Sequence, residues 1–424
     1  MDVDKTRTYI QRSQSTPLEI YLGKNQRTSY LDDAVSLVIP HIHRLKSLTI
    51  QADIIPGVLS DFHCPAPLLE TLDINLSGRL APVLDGALFG GDLSSLRELY
   101  LGRDITYIPW KNLANLRVFS RISSPPGHEV TQLLDFFESA PLLHTISLMD
   151  SIPRASDAPP ERIVPLRHLT TLTILADSPH YVLLNHLSIP AGASLTLVFS
   201  YDGEESPLLG YLPERSPNLG NLTHITAVNL CFRWLQKFIR LSGPSGSLRL
   251  LADTIDERTE SSTVDPRILH SLGPSILSTT QKLTMSEYEC PNRDEDEECP
   301  VFRVLSSANG LRTLTLIQCN NLPFIQALDP KENPSELMLC PNLENFVIYK
   351  SPRHYYYTEH LLNMVKNRAC REARLSSIVI ADFVPSYEVS KLEEFVGHME
   401  YTIDGEPPEW DYLPGENDSE SNLV

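Results

Sequence analysis

The sequence predicts an α/β fold in which short parallel strands return at a near-constant step, each followed by a helix or turn on one side. Two observations carry this expectation. The first is the stretch Asn309–Leu322, which reads Leu311-x-x-Leu314-x-Leu316-x-x-Cys319-x-x-Leu322. The second is recurrence. The same apolar kernel begins at Leu45, Leu69, Leu96, Leu143, Leu169, Leu343 and Leu375, with weaker copies beginning at Leu116, Leu195, Leu222, Leu248 and Leu283. The starting points lie 20 to 27 residues apart from Leu45 to Leu248, and 28 to 35 apart from there to Leu375. Self-similarity at such a period marks a repeat architecture, and this kernel is the leucine-rich-repeat form. Its ninth position, which serves neighbouring backbone groups, is polar or thiol at Asp53, Ser77, Asp104, Ser151, Asp177, Cys319 and Ser351. The predicted architecture is therefore a solenoid of irregular repeats over residues 17–403, a curved parallel sheet with helices on its convex side.

Taken in order, residues 1–16 form a polar lead-in, and Leu18, Ile20 and Leu22 then alternate as a first strand closed by Gly23. Leu31, Val35 and Val38 make a helical stripe that ends at Pro40, ahead of the strand at Leu45–Ile50. The helix at Glu129–Ala140 shows the same logic. Val130, Leu133, Leu134 and Phe137 share one face, and Pro141 stops the helix where the next strand starts. Turn-rich links such as Ser123–Gly127 and Ala158–Pro160 are too short for domain linkers. Residues 251–300 are the least regular and carry an acidic run between Cys290 and Cys299. Beyond them, His360–Ala373 reads as an amphipathic helix and Ser390–Met399 as a last helix before Tyr401-Thr402-Ile403. An acidic tail from 404 to 424 is expected to be disordered.

Composition narrows the function. A net charge of −19 argues against nucleic acid or an anionic membrane as the partner, although a local basic patch is compatible with it. No stretch approaches the roughly 18 apolar residues of a membrane span, and Met1–Arg7 has no signal-peptide core. Seven cysteines at scattered spacing suit a reducing compartment, so the cytoplasm, the nucleus or both are expected. No nucleotide-binding loop, nucleophile elbow or zinc-protease motif occurs, so no enzyme activity and no cofactor are expected. His41-Ile42-His43 and the Cys290/Cys299 pair lack the further ligands of a metal site.

What remains is protein binding. In such a repeat the non-leucine strand residues point from the concave face, where partners dock. Asp73, Arg97, Tyr100, His144, Met149, Arg312 and Tyr349 are the candidate contacts, because aromatic and arginine side chains concentrate binding energy. The stretch Tyr355-Tyr356-Tyr357 reads as a loop packed against the last repeat, with an exposed aromatic patch for a partner as the alternative.

Three places resemble a known family. Tyr9–Ile20 looks like a helix-to-strand junction, the repeats are irregular, and Leu375–Ile380 is followed by Leu392 to Tyr401 and Pro407-Pro408-Glu409-Trp410. Together they resemble the F-box-type leucine-rich-repeat proteins of mushroom-forming fungi. That resemblance implies a substrate receptor whose F-box binds a Skp-type adaptor and, through it, the cullin of an SCF-type ubiquitin ligase, while the repeats hold the protein substrate. The chain departs from the family at its start, where residues 1–16 contain no Leu-Pro-x-Glu-Ile-like run. The alternative is a leucine-rich-repeat scaffold with no ubiquitin link.

Overall fold

Strands form where apolar residues alternate with hydroxyl, β-branched or charged ones, so that one face is buried and the other half-exposed. The computed structural model describes residues 3–23, 33, 35–53, 61–77, 88–102, 113–122, 130–149, 157–175, 181–201, 226–232, 236–243, 247–254, 277–286, 300–331, 338–349, 357–381 and 391–402. The chain divides into two compact units. One comprises Met1–Ser200, Gly210–Thr223 and Ser245–Leu251, and the other Tyr201–Leu209, His224–Pro244 and Ala252–Val424.

The first unit opens with a helix at Val3–Arg12. Its strands are β1 (Leu18–Leu22), β2 (Leu45–Asp53), β3 (Thr71–Ser77), β4 (Glu98–Leu101), β5 (Val118–Ile122) and β6 (Thr145–Met149). There follow β7 (Val164–Pro165), β8 (Thr171–Leu175), β9 (Leu187–Ser188) and β10 (Ser194–Tyr201). β1-β2-β3-β4-β5-β6-β8-β10 form one sheet in that order, and every pairing is parallel. β7 and β9 pair separately. Along the sheet, register aligns Leu48, Leu72, Leu99, Phe119, Ile146, Leu172 and Leu195, all fully buried. Each contributes about 1.5–3 kcal/mol of apolar burial. The helix Val130–Ser139 packs on this buried face. Phe136 and Phe137 meet Phe119 with ring centroids 4.4 and 6.4 Å apart. Asp157, from the segment after β6, accepts the Thr131 amide at 3.1 Å and so caps that helix from outside it.

One hydrogen-bonded step recurs at each strand entry. A single carbonyl accepts two successive amides of the next strand. Glu70 O takes those of Arg97 and Glu98 at 2.8 and 3.0 Å, Arg97 O those of Arg117 and Val118, and Arg117 O those of His144 and Thr145. Ahead of each strand a turn closes three residues back, as from the Leu69 amide to Ala66 O and from Leu96 to Leu93 O. Gly102 ends β4 where a Cβ would stand 2.6 Å from the Asn75 Cα, so only glycine fits.

The second unit repeats the step with longer returns. Its sheet runs β12 (Gln236–Ser242), β11 (Ala227–Phe232), β14 (Lys282–Ser286), β15 (Thr313–Ile317), β16 (Asn345–Tyr349), β17 (Ser377–Ala381) and β18 (His398–Thr402). β11 and β12 are antiparallel and the other pairings parallel. β13 (Ser247–Thr254) carries residues of both units. Gln281 O, Arg312 O and Glu344 O each accept the same pair of amides as their counterparts in the first unit. The helices Pro300–Ser307, Leu322–Leu328 and Thr358–Cys370 precede or follow these strands and pack side by side. Cys319, at the ninth position, directs its thiol to the carbonyls of Met285 and Ile317 at 3.2 and 3.3 Å. Arg368 is fully buried, and its guanidinium donates to the carbonyls of Leu339 and Cys340 at 2.9 and 2.8 Å.

Several expectations are corrected. Register sets Leu195 opposite Leu172 and Leu283 opposite Leu314, so both are second leucines; the turn that precedes each strand puts the first position at Ala193, two residues before Leu195, and at Thr280, three before Leu283. Val228 stands opposite Leu283, so it, and not a residue of the Leu222 kernel, holds the second leucine position of that strand. The kernel has its own internal spacing of three, and that invites the slip. Pro40 does not end the segment after Val38, because a 3₁₀ helix spans Ile39–Arg44 with the proline in its first turn. The expected last helix at Ser390–Met399 is only a 3₁₀ turn at Lys391–Glu394. β18 then begins at His398, with Met399 and Tyr401 at leucine positions opposite Ile378 and Ile380. The antiparallel β11–β12 pair has no counterpart in the sequence pattern. The acidic run between Cys290 and Cys299, the tail from 404, Tyr355 and Tyr356 lie outside the described residues, whereas Tyr357 is buried.

Candidate protein-binding surface

Alternation along a strand divides the expected contact residues between two places. Asp73, Tyr100, Met149 and Tyr349 lie on the half-exposed face, opposite in parity to the buried leucines. Arg97, His144 and Arg312 stand one residue before their strands and share the leucines' parity. They belong to the strand-entry edge instead.

On the face of the first unit, register sets Asp73 beside Tyr100. The Tyr100 hydroxyl donates weakly to Glu98 at 3.5 Å. Burial raises the Asp73 carboxyl above the ordinary carboxylate range. Burial and the charges of Glu98 and Asp73 raise the Tyr100 phenol. Beyond Tyr100 the same row continues as Ser120, Ser147 and Thr173, without charge. Met149 lies one row further along, between Ile122 and Leu175, so the face offers a short apolar strip beside a hydroxyl strip. In the second unit Tyr349 stands between Ile317 and Ala381. Arg312 pairs with Glu344 at 3.3 Å, both exposed.

At the entry edge of the first unit, Lys46, Glu70, Arg97 and Arg117 line a groove of about 410 Å³. Lys46 sits in the register break between β1 and β2, and its ammonium is 3.8 Å from Glu19. Arg97 and Arg117 are exposed and form no ion pair among the described residues. The next position is His144, half-buried, with Nδ1 2.6 Å from Leu142 O and its ring stacked on His168 at 5.9 Å. The sequence pattern does not single out Arg117. The signal that finds it is its place one residue after the first leucine of its repeat, where Lys46, Glu70 and Arg97 also fall.

Among the described residues no group of three or more His, Cys, Asp or Glu side chains is placed to hold a metal ion. Among them, too, no helix is long and apolar enough to cross a membrane. No protein-family model matches the chain, and no curated protein matches it.

Proposed function

We infer that the chain is a protein-binding leucine-rich-repeat solenoid, similar to the substrate-receptor part of an F-box protein. The observation that carries this reading is the recurrent strand entry, in which one carbonyl accepts two amides of the next strand at eight strand junctions among the described residues of the two units. Such a step stacks strand faces side by side, as a docking surface requires. The mechanism is positional. A stiff sheet presents side chains at a fixed spacing of about 4.8 Å from strand to strand, so a partner meets a pre-organised surface and loses little to ordering it. No reaction is assigned to the chain itself, and the cytoplasm or nucleus is its proposed location.

The ubiquitin-ligase role, with a Skp-type adaptor and a cullin as further partners, rests on the family resemblance alone. A repeat scaffold without that link is the competing form of the same reading. Immobilised chain challenged with a lysate of the cells that make it separates the two, with bound proteins identified by mass spectrometry. Adaptor and cullin among the saturably bound proteins support the ligase role. Other proteins bound without them leave a scaffold, and no saturable binding of any protein overturns the binding reading.

A further inference from the structure

We propose that the strand-entry groove of the first unit binds an acidic, extended segment of a partner protein. This deepens the protein-binding reading and rests on it. The chain as a whole carries −19, yet the groove is lined by Lys46, Arg97 and Arg117 against Glu70, with the Glu19 carboxylate 3.8 Å from Lys46, so that the two arginines remain in excess. A cationic cleft in an anionic molecule focuses its field on a small area and draws a matching anionic ligand there.

The cations are held in order by the backbone. Glu70, Arg97 and Arg117 are joined by the paired-amide step, so Arg97 and Arg117 leave adjacent strands about 4.8 Å apart. Neither is neutralised by an ion pair among the described residues, and two guanidinium forks at that spacing suit one or two carboxylates. The turns that wall the groove are tied to one another. Ser95 Oγ donates to Pro67 O at 2.6 Å, and Asn115 Nδ2 donates to Ser94 O at 2.7 Å. The cleft is therefore preformed. Leu68 is 47% exposed in its wall and gives an apolar contact, so the favoured segment carries an apolar side chain among its acidic ones.

A nucleic acid fits less well. Its phosphates would extend past a short groove onto a surface whose overall charge repels them.

The test is fluorescence anisotropy on the full chain with a dye-labelled peptide of Asp and Glu residues around one Leu. Its Asn/Gln counterpart and a thymidine oligonucleotide of equal charge serve as comparisons. The acidic peptide is expected to bind at least tenfold more tightly than the neutral one, and more tightly than the oligonucleotide. Arg97→Glu with Arg117→Glu is expected to weaken it at least tenfold. Lys331→Glu with Lys366→Glu, two exposed lysines of the other unit, makes the same change in net charge and is expected to leave affinity within twofold. Equal binding of acidic and neutral peptides overturns the proposal without using any variant. Tighter binding of the oligonucleotide overturns it as well, as does an equal loss in the two double variants. If lysate proteins are retained saturably while acidic and neutral peptides bind alike, the groove assignment falls and the binding-module reading stands.

Discussion

Leu314→Asp tests the register on which the whole fold depends. Leu314 is fully buried, with Leu283 and Phe346 beside it on the neighbouring strands, both also fully buried. Truncating a buried leucine costs about 2–5 kcal/mol through lost transfer energy and the cavity left behind, and Leu314→Ala is expected to fall in that range. A carboxylate at this site adds a second cost. Its folded pKa is raised by burial above the unfolded value of about 3.9, so the folded state holds the proton over a pH range where the unfolded state has lost it. Stability then falls with rising pH by about 1.36 kcal/mol per unit, to at most about 4 kcal/mol at pH 7. The total of roughly 6–9 kcal/mol is comparable to the stability of many domains, so the second unit should lose its cooperative structure near neutrality and recover part of it toward pH 4. Leu314→Asn, neutral and of similar shape, should show no such pH dependence. Thr315→Asp, one residue on and on the half-exposed face, should cost about 1 kcal/mol or less. The assay is urea denaturation by circular dichroism, with hydrogen exchange read over residues 313–317. Equal midpoints for Leu314→Asp and the parent chain, or equal losses at 314 and 315, would refute the register.

Four other outcomes are expected. Arg368→Met removes the donors that satisfy Leu339 O and Cys340 O in a buried turn, and should cost about 2–4 kcal/mol in the same denaturation assay. Asp157→Ala removes the cap on the helix Val130–Ser139, at about 1 kcal/mol or less because the carboxylate is exposed. Partial burial pushes the Asp157 carboxyl up, but hydrogen bonds from Thr131 and the local amides hold it below the usual range. Its contribution is thus present above about pH 3.9 and is lost as the pH falls through the lower folded value, a loss that the alanine variant should not show in acid titrations. Burial pushes the Cys340 thiol up to about 12, so brief alkylation of the folded chain should label the exposed Cys64 and Cys370 and spare Cys340 and Cys319 until denaturant is added. Gly102→Ala forces β4 away from Asn75 and should lower the denaturation midpoint by an amount equivalent to about 1–3 kcal/mol.

The strands with two clear leucines were legible because burial on one face demands a strict alternation, which Leu48/Ile50, Leu99/Leu101 and Leu314/Leu316 display without ambiguity. Weaker entries are displaced in the sequence pattern, since Leu195 and Leu283 are second leucines whose first positions are held by the small or polar Ala193 and Thr280. The fifth strand carries a buried Arg121 opposite Leu101 and Leu148, where the pattern asks for an apolar residue. Burial lowers that guanidinium's pKa to about 10. The last strand is hidden because Leu392, Val396 and Met399 fall at i, i+4 and i+7, the spacing of one helix face, although Gly397 and His398 already lead into the strand. Asp73 and Tyr100 are legible as strand residues of the half-exposed face. The cationic groove is legible only in part: Lys46, Glu70, Arg97 and Arg117 share one repeat position, but the weak entry at Leu116 keeps Arg117 out of the clear pattern.

The paired-amide step also decides where this chain can change length. From the turn that precedes each first leucine to the end of the strand, every residue is counted. Inserting one there would exchange the two faces, bringing leucines to the surface and hydroxyls to the core. Between strands the count is looser. Second leucine positions at 48, 72, 99, 119, 146 and 172 are unevenly spaced, yet the entry geometry does not vary with the spacing. The distance from one kernel to the next therefore varies while the strand-to-strand spacing, and with it the spacing of the half-exposed side chains, stays fixed.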